Sequence, residues 1–221
     1  MSIWHQRWDE NRIGFHRLET NPTLSDHWSK LSLPSNASVL VPLCGKSLDM
    51  HWLNQQGHTV VGIELVEKAV KQFFDDASML TEEESKHSGN KYSAGKIHLY
   101  HADFFEVQPD ETPFDAWYDR AALVALPSNI RPAYVEQLCQ LTAANSKGLM
   151  VTFDYPQSEM QGPPFALPDT EVEQLFSEHF EVERVQWTDL TEEEQRELSR
   201  CSLSVFILTR KSFMSSNSGV Q

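Results

Sequence analysis

Residues 37–47 read ASVLVPLCGKS, an apolar run that stops at Pro42-Leu43-Cys44-Gly45. A continuous apolar stretch of this length suits a strand buried on both faces, and the glycine after it marks a tight turn. The same pattern recurs down the chain. Residues 58–65 (HTVVGIEL), 96–103 (KIHLYHAD), 114–118 (FDAWY) and 147–154 (KGLMVTFD) read as four more strands. Between the second and third, Val66, Ala69, Val70, Phe73, Phe74 and Ala77 fall at helical spacing on one face. Tyr134, Leu138 and Leu141 repeat the pattern more weakly, as do Val172, Leu175, Phe176 and Phe180. Thr170 and Glu173 have capping-box spacing ahead of this last group, and so do Thr191 and Glu194 further on. Residues 181–188 and 203–210 read as two late strands with no crossover helix between them, which predicts an antiparallel edge. Strand–helix alternation of this kind implies an α/β doubly wound sheet that takes its ligands at the carboxyl ends of the strands.

Composition narrows the function. With 221 residues the chain suits one α/β domain, spanning 1–211, and the Ser/Asn/Gly-rich residues 212–221 read as a disordered tail. Residues 78–95, rich in Glu, Ser, Gly and Asn, read as a mobile insertion before a strand. There are 32 acidic and 18 basic side chains, a net charge of −14. Such a surface repels phosphate backbones and anionic membranes, so neither nucleic acid nor membrane is an expected partner. Three cysteines, Cys44, Cys139 and Cys201, with no CxxC pair suit a reducing cytosol and argue against structural zinc. No signal-type segment and no membrane-length apolar run is present, so the expected location is cytoplasmic. With no interface stripe evident, a monomer is expected.

The first strand-to-helix turn is where a nucleotide-like ligand approaches the backbone in this architecture, and Gly45 removes the side chain that would block it. A simple tight turn would use the same residue. Gly45-Lys46-Ser47 hints at a phosphate loop, but Leu40 stands where that motif needs its first glycine. GxGxxG is missing as well, which a cofactor without a pyrophosphate would not need. Glu64 ends the second strand 19 residues after Gly45, behind the buried types Val60, Val61, Gly62 and Ile63. A carboxylate there can accept hydrogen bonds from two ribose hydroxyls. Asp103-Phe104-Phe105 ends the third strand, an acid and aromatics suited either to an adenine or to core packing. His98 and His101, three apart on a strand, point to opposite faces and cannot share a metal. No GxSxG elbow exists, and Cys44 has no evident base beside it, so it reads as a small turn residue.

Several of these pieces coincide with one family. Trp4-His5-Gln6-Arg7-Trp8, Gly14-Phe15-His16, Pro42-Leu43-Cys44-Gly45-Lys46-Ser47 and Gly62-Ile63-Glu64 resemble the successive motifs of thiopurine S-methyltransferases. Tyr118-Asp119-Arg120-Ala121-Ala122-Leu123 and Gly162-Pro163-Pro164-Phe165 do so too. The resemblance runs in order from about residue 4 to residue 210 and is to the bacterial branch. It implies a Rossmann-like class I methyltransferase fold: a seven-stranded, mostly parallel sheet with an antiparallel last strand and helices on both faces. It also implies S-adenosyl-L-methionine as donor, no metal, and a thiopurine or similar aromatic or heterocyclic thiol as acceptor.

By motif, Trp8, Leu43, Glu64 and Arg120 resemble the family's donor-binding residues, with Asp103 and Phe104 where adenine is contacted. Phe15 resembles a residue covering the reacting sulfur, and a late arginine near the acceptor is expected at Arg196 or Arg200. Arg120 would position or stabilise an anion, with no general base required, because the acceptor is already a good nucleophile. Without the resemblance, Trp4 and Trp8 read as a staple of a terminal helix. Three alternatives remain: the same fold and donor with inorganic selenium or tellurium species as acceptor, an NAD-dependent oxidoreductase, and a non-catalytic nucleotide-binding regulator.

Overall fold

The computed structural model describes residues 2–108, 113–192 and 197–212. Its centre is one sheet whose central strands are apolar on both sides. Strand β1 (Ser38–Pro42) turns Val39 and Val41 to one face and Leu40 to the other. β2 (Thr59–Glu64) does the same with Val60 against Val61 and Ile63. The alternation continues through β5 (Ile97–His101), β6 (Phe114–Arg120), β7 (Thr142–Asp154) and the last strand, β9 (Ser202–Arg210). This is the period-two pattern of a strand covered above and below.

Helices supply both covers. On one face lie α2 (Pro22–His27), α3 (Asp49–Gln55) and α4 (Glu67–Asp76), which bury Leu24, Met50, Leu53, Val70, Phe73 and Phe74. On the other lie α5 (Arg131–Leu141) and α6 (Asp169–Phe176), through Tyr134, Leu138, Leu141, Val172 and Phe176. Burying a Phe or Leu of this kind is worth about 1.5–3 kcal/mol each, so the two apolar layers hold the sheet's order. Ala77 falls just past the end of α4 and is exposed.

The strand order is β3-β4-β5-β2-β1-β6-β7-β9-β8, with β8 at Phe180–Asp189. β5, β2, β1, β6 and β7 run parallel, and β9 is inserted antiparallel to both β7 and β8. Among the described residues the expected seven strands are nine. The two additional ones, β3 (Glu82–Lys86) and β4 (Gly89–Ala94), form a hairpin that adds antiparallel to β5. The expected mobile insertion over 78–95 is therefore sheet.

The hairpin's pattern was hidden because its sequence is almost wholly polar. In it only Tyr92 is buried, and its hydroxyl donates to Glu67 at 2.9 Å. The all-exposed β3, with three consecutive Glu, is a charged edge of the kind that blocks further strand pairing. The capping box at Thr170–Glu173 is also corrected. The helix begins two residues earlier than that box implies, at Asp169 with Pro168 as its cap, and Asp169 and Glu171 favour its positive end instead. Of the second such spacing, Thr191 is described but Glu194 is not, and the tail from 213 onward also lies outside the described residues.

Candidate functional site

Both β1 and β2 stop at the same end of the sheet, where the turn after β1 folds over the last residue of β2. Leu43 takes φ +47° and Gly45 φ +53°, left-handed backbone that glycine adopts freely and leucine rarely. The turn is pinned from below. The Cys44 N–H donates to the Ile63 carbonyl at 3.0 Å, and the Gly45 N–H donates to Glu64 Oε2 at 2.8 Å. The other carboxylate oxygen of Glu64 accepts the Val66 N–H, also at 2.8 Å. Glu64 is thus buried, not a solvated strand-end acid. Burial pushes its carboxyl above the usual range, against the opposing pull of the Val66, Gly45 and Leu65 amides. Each oxygen keeps a second lone pair for a ligand hydroxyl. Cys44 is buried, and burial, with the neighbouring Glu64 charge, pushes its thiol well up, consistent with a turn residue and not a nucleophile.

A second built turn closes β6. Asp119 accepts the Ala122 N–H at 3.1 Å and the Tyr134 hydroxyl at 2.7 Å, and Ala121 in the same turn has φ +64°. Arg120 precedes Ala121 and donates from Nη1 to the Phe15 carbonyl at 3.0 Å. Elsewhere on the same strand, the Tyr118 hydroxyl donates to Asp49, which also accepts the Asn21 N–H at 2.8 Å. The end of β6 therefore anchors both its own turn and the start of α2.

The N-terminal segment forms the cover. Helix α1 (Ile3–Asp9) buries Trp8 to 3% exposure among Val66, Ala69, Ile13 and Leu65. Trp4 and Trp8 both meet the Phe15 ring edge to face, at 5.9 and 5.8 Å. A Cβ on Gly45 would stand 3.4 Å from Trp8 Cζ2, so the glycine leaves room beneath that ring. Lys68 holds the segment from α4 by donating to the Trp8 carbonyl at 3.0 Å. One aromatic cluster thus both anchors the terminal helix and roofs the cavity.

Beneath this roof is a cavity of about 620 Å³, within the range of about 300–1,000 Å³ usual for a small-molecule site. It has two halves. One is polar, with Glu64, Asp103, Arg120 and Lys46 among its walls. The other is largely apolar, lined by Val151, Phe153, Met160, Pro163, Pro164 and Leu203, with Thr152 among them. Trp8, Phe15, Leu43, Glu64, Asp103, Phe104 and Arg120, separated in sequence, all line this one space. Phe104 does so as the edge of the core, buried against Tyr134, while Phe105 is partly exposed. Asp103 Oδ1 accepts the Phe105 N–H at 3.0 Å.

Arg196 lies outside the described residues. Arg200 is turned to the surface, paired with Asp154 at 2.9 Å, and is not among the cavity's lining residues. The Gly162-Pro163-Pro164 stretch, whose two prolyl bonds are cis, forms part of the apolar wall. It is held there by the Tyr155 hydroxyl on the Pro164 carbonyl at 2.8 Å.

Sequence reasoning missed the left-handed Leu43 and Ala121, the buried role of Asp119, and the apolar wall between β7 and α6. Only the position of the two turns at strand ends could have signalled them. Among the described residues no group of three His, Cys, Asp or Glu side chains could hold a metal. No helix among them is long and apolar enough to cross a membrane.

The fold has solved counterparts. The 1,6-didemethyltoxoflavin-N1-methyltransferase of Burkholderia thailandensis, seen with 1,6-didemethyltoxoflavin and S-adenosylhomocysteine, superimposes with a TM-score of 0.65 at 15% identity. That match covers 95% of this chain and 86% of that one. A TehB-like SAM-dependent methyltransferase from Corynebacterium glutamicum gives 0.58 at 17%, covering 94% and 96%. Sheet order and these two likenesses show that the chain has the α/β fold these methyltransferases share.

Sequence narrows the class. The family model for Thiopurine S-methyltransferase (TPMT) matches residues 1–211. The thiopurine S-methyltransferase of Shewanella pealeana is 42% identical over 215 residues, covering 95% of this chain and 98% of that protein. That of Shewanella woodyi is 45% identical over 199 residues, covering 88% and 89%. The chain belongs to the thiopurine S-methyltransferase family.

Proposed function

We propose that the protein transfers the methyl group of S-adenosylmethionine to the sulfur of a thiopurine or a similar aromatic or heterocyclic thiol. The observation that carries this reading is the division of the cavity. A polar half at the ends of β1 and β2 adjoins an apolar half with no acid or base among Val151, Phe153, Met160, Pro163, Pro164 and Leu203. A flat, soft nucleophile suits that second half better than a strongly hydrated oxyanion does.

The residues fit the donor. Gly45 and the left-handed Leu43 keep Cβ atoms out of the way of a ligand at the β1 turn, and Glu64 has acceptor capacity for ribose hydroxyls. Asp103 and Phe104 offer an acceptor and an aromatic wall for an adenine. When bound, the donor supplies a methyl carbon made electrophilic by its sulfonium. The protein's part is then to hold two sulfurs and one carbon in line, which is worth up to about 7–11 kcal/mol of the barrier.

Trp8 and Phe15 exclude water from above. Arg120, held by the Phe15 carbonyl, presents the rest of its guanidinium to the donor's carboxylate or to an anionic acceptor. No lining group needs to act as a strong base. The test is transfer of labelled methyl to a panel of aromatic thiols and inorganic selenium compounds. The reading expects the aromatic thiols to be methylated faster. Faster selenium methylation, or none on any thiol, overturns it.

A further inference from the structure

Asp119 is 1% exposed, and its charge has no cationic partner among its hydrogen bonds. It instead accepts the Ala122 N–H at 3.1 Å, the Leu123 N–H at 3.2 Å and the Tyr134 hydroxyl at 2.7 Å. The two amides belong to the turn that carries the left-handed Ala121, a cavity-lining residue, as are Arg120 before it and Val124 after it. Backbone of this kind persists in a non-glycine residue only where its surroundings fix it, and such spots gather at functional sites. Asp119 is what fixes this one.

We propose that Asp119 is a positioning residue for methyl transfer: its ionised carboxylate holds the 121–123 turn and through it aims Arg120 into the cavity. The proposal rests on Arg120 being a working group of the methyl-transfer site.

A purely structural residue here would not need a charge. Burial pushes the Asp119 carboxyl up to about 6, against the opposing hydrogen bonds from Tyr134, Leu123 and Ala122. The groups facing it are Tyr134 from α5 and the two turn amides, with Tyr118 and Arg120 beside it on β6. Its register partner on β7, Met150, is uncharged. In the unfolded chain the carboxyl returns to 3.8. Between those values the native state binds the extra proton, so the charge works against folding as pH rises through the window. The fold keeps ionised, at neutral pH, a group that would be more stable neutral.

Three consequences separate positioning from scaffolding. Asp119→Asn lowers kcat by about 10–100-fold, the scale of a small misplacement at the reacting centre, while Tm at neutral pH moves by only a few degrees, because relief of the buried charge offsets the weakened hold on the turn. In an Arg120→Ala background, Asp119→Asn has little further effect on kcat, because the two act through one group. Tyr134→Phe removes a hydrogen bond that favours the ionised form, so the acid limb of the kcat profile moves to higher pH.

The experiment is kcat and Tm across the pH range for wild type, these three single variants and the Asp119→Asn/Arg120→Ala pair. Full turnover in Asp119→Asn, or losses that multiply in the pair, overturns the proposal. Should Asp119→Asn fail to fold, Tyr134→Phe decides: a limb shifted upward supports the proposal, and an unmoved limb overturns it. Wild-type turnover in Arg120→Ala alone would instead remove Arg120 from the site, a failure distinct from that of Asp119.

Discussion

Replacing Glu64 with glutamine keeps the side chain's shape, removes its charge and breaks the hydrogen bonding of the β1 turn. The two carboxylate oxygens each accept one backbone N–H at 2.8 Å, from Gly45 and from Val66. With glutamine at this position one oxygen becomes an NH₂ group facing an N–H, so a buried donor loses its acceptor. That costs about 1–3 kcal/mol, and in a chain of this size each kcal/mol lowers Tm by about 2–4 °C.

Donor binding loses more. In the proposed donor site each oxygen would offer its remaining lone pair to a ribose hydroxyl, and a hydrogen bond to a charged acceptor nets about 1.5–3 kcal/mol. Losing one such bond weakens affinity by between about 10- and 150-fold. A pH effect accompanies it. Burial raises the Glu64 carboxyl, so it takes up its proton at a higher pH than a surface glutamate does. The charged form prevails above that raised value. As pH falls through it, one acceptor oxygen turns donor and wild-type affinity for the donor falls, whereas Glu64→Gln shows no such limb. Calorimetric titration of S-adenosylmethionine into both proteins, with circular dichroism to establish folding, measures this. A folded Glu64→Gln that binds the donor as tightly as wild type would refute the reasoning.

Arg120→Ala is expected to cut turnover at least tenfold, roughly the value of one charge-assisted hydrogen bond, with Tm shifted by no more than a few degrees. Retained methylation would contradict this. Gly45→Ala forces left-handed backbone on a residue with a Cβ, at about 1–2 kcal/mol, and pushes that Cβ beneath Trp8. Both Tm and donor affinity should drop, and a variant with both unchanged would count against the description of the turn. Gly148→Ala is a contrast far from the ligand. An added Cβ there would stand 2.0 Å from the Trp117 ring, which is wholly buried against Phe176 and Phe180. Thermal melting should show a loss of at least about 1–3 kcal/mol, with donor affinity intact in the molecules that remain folded.

The interior strands were legible in the sequence because burial on both faces leaves no polar position to blur them, as in Val39-Leu40-Val41. Glu64 was legible for a related reason: an acid behind four buried residue types can only be the strand's end. The hairpin over 82–94 was not, because a charged edge strand looks like a loop when only Tyr92 goes inside. Leu43 and Ala121 carry no mark of their left-handed backbone, since neither side chain favours it, and only Asp119 and Glu64 beneath them make it possible. The apolar half of the cavity escaped notice because Phe153, Met160 and Pro164 come from a strand end and an irregular segment with no shared period. Motif strings alone brought Trp8, Phe15 and Arg120 together, residues whose proximity no local pattern encodes.

The central claim is that the crevice above β1 and β2 holds the adenosyl donor. A crystal structure of the protein with S-adenosylhomocysteine tests it directly. The account predicts ribose hydroxyls on Glu64, the thioether beside the Leu43–Gly45 turn, and the roof of Trp8 and Phe15 over both. The ligand seated elsewhere, or Glu64 left without a ligand contact, would contradict it.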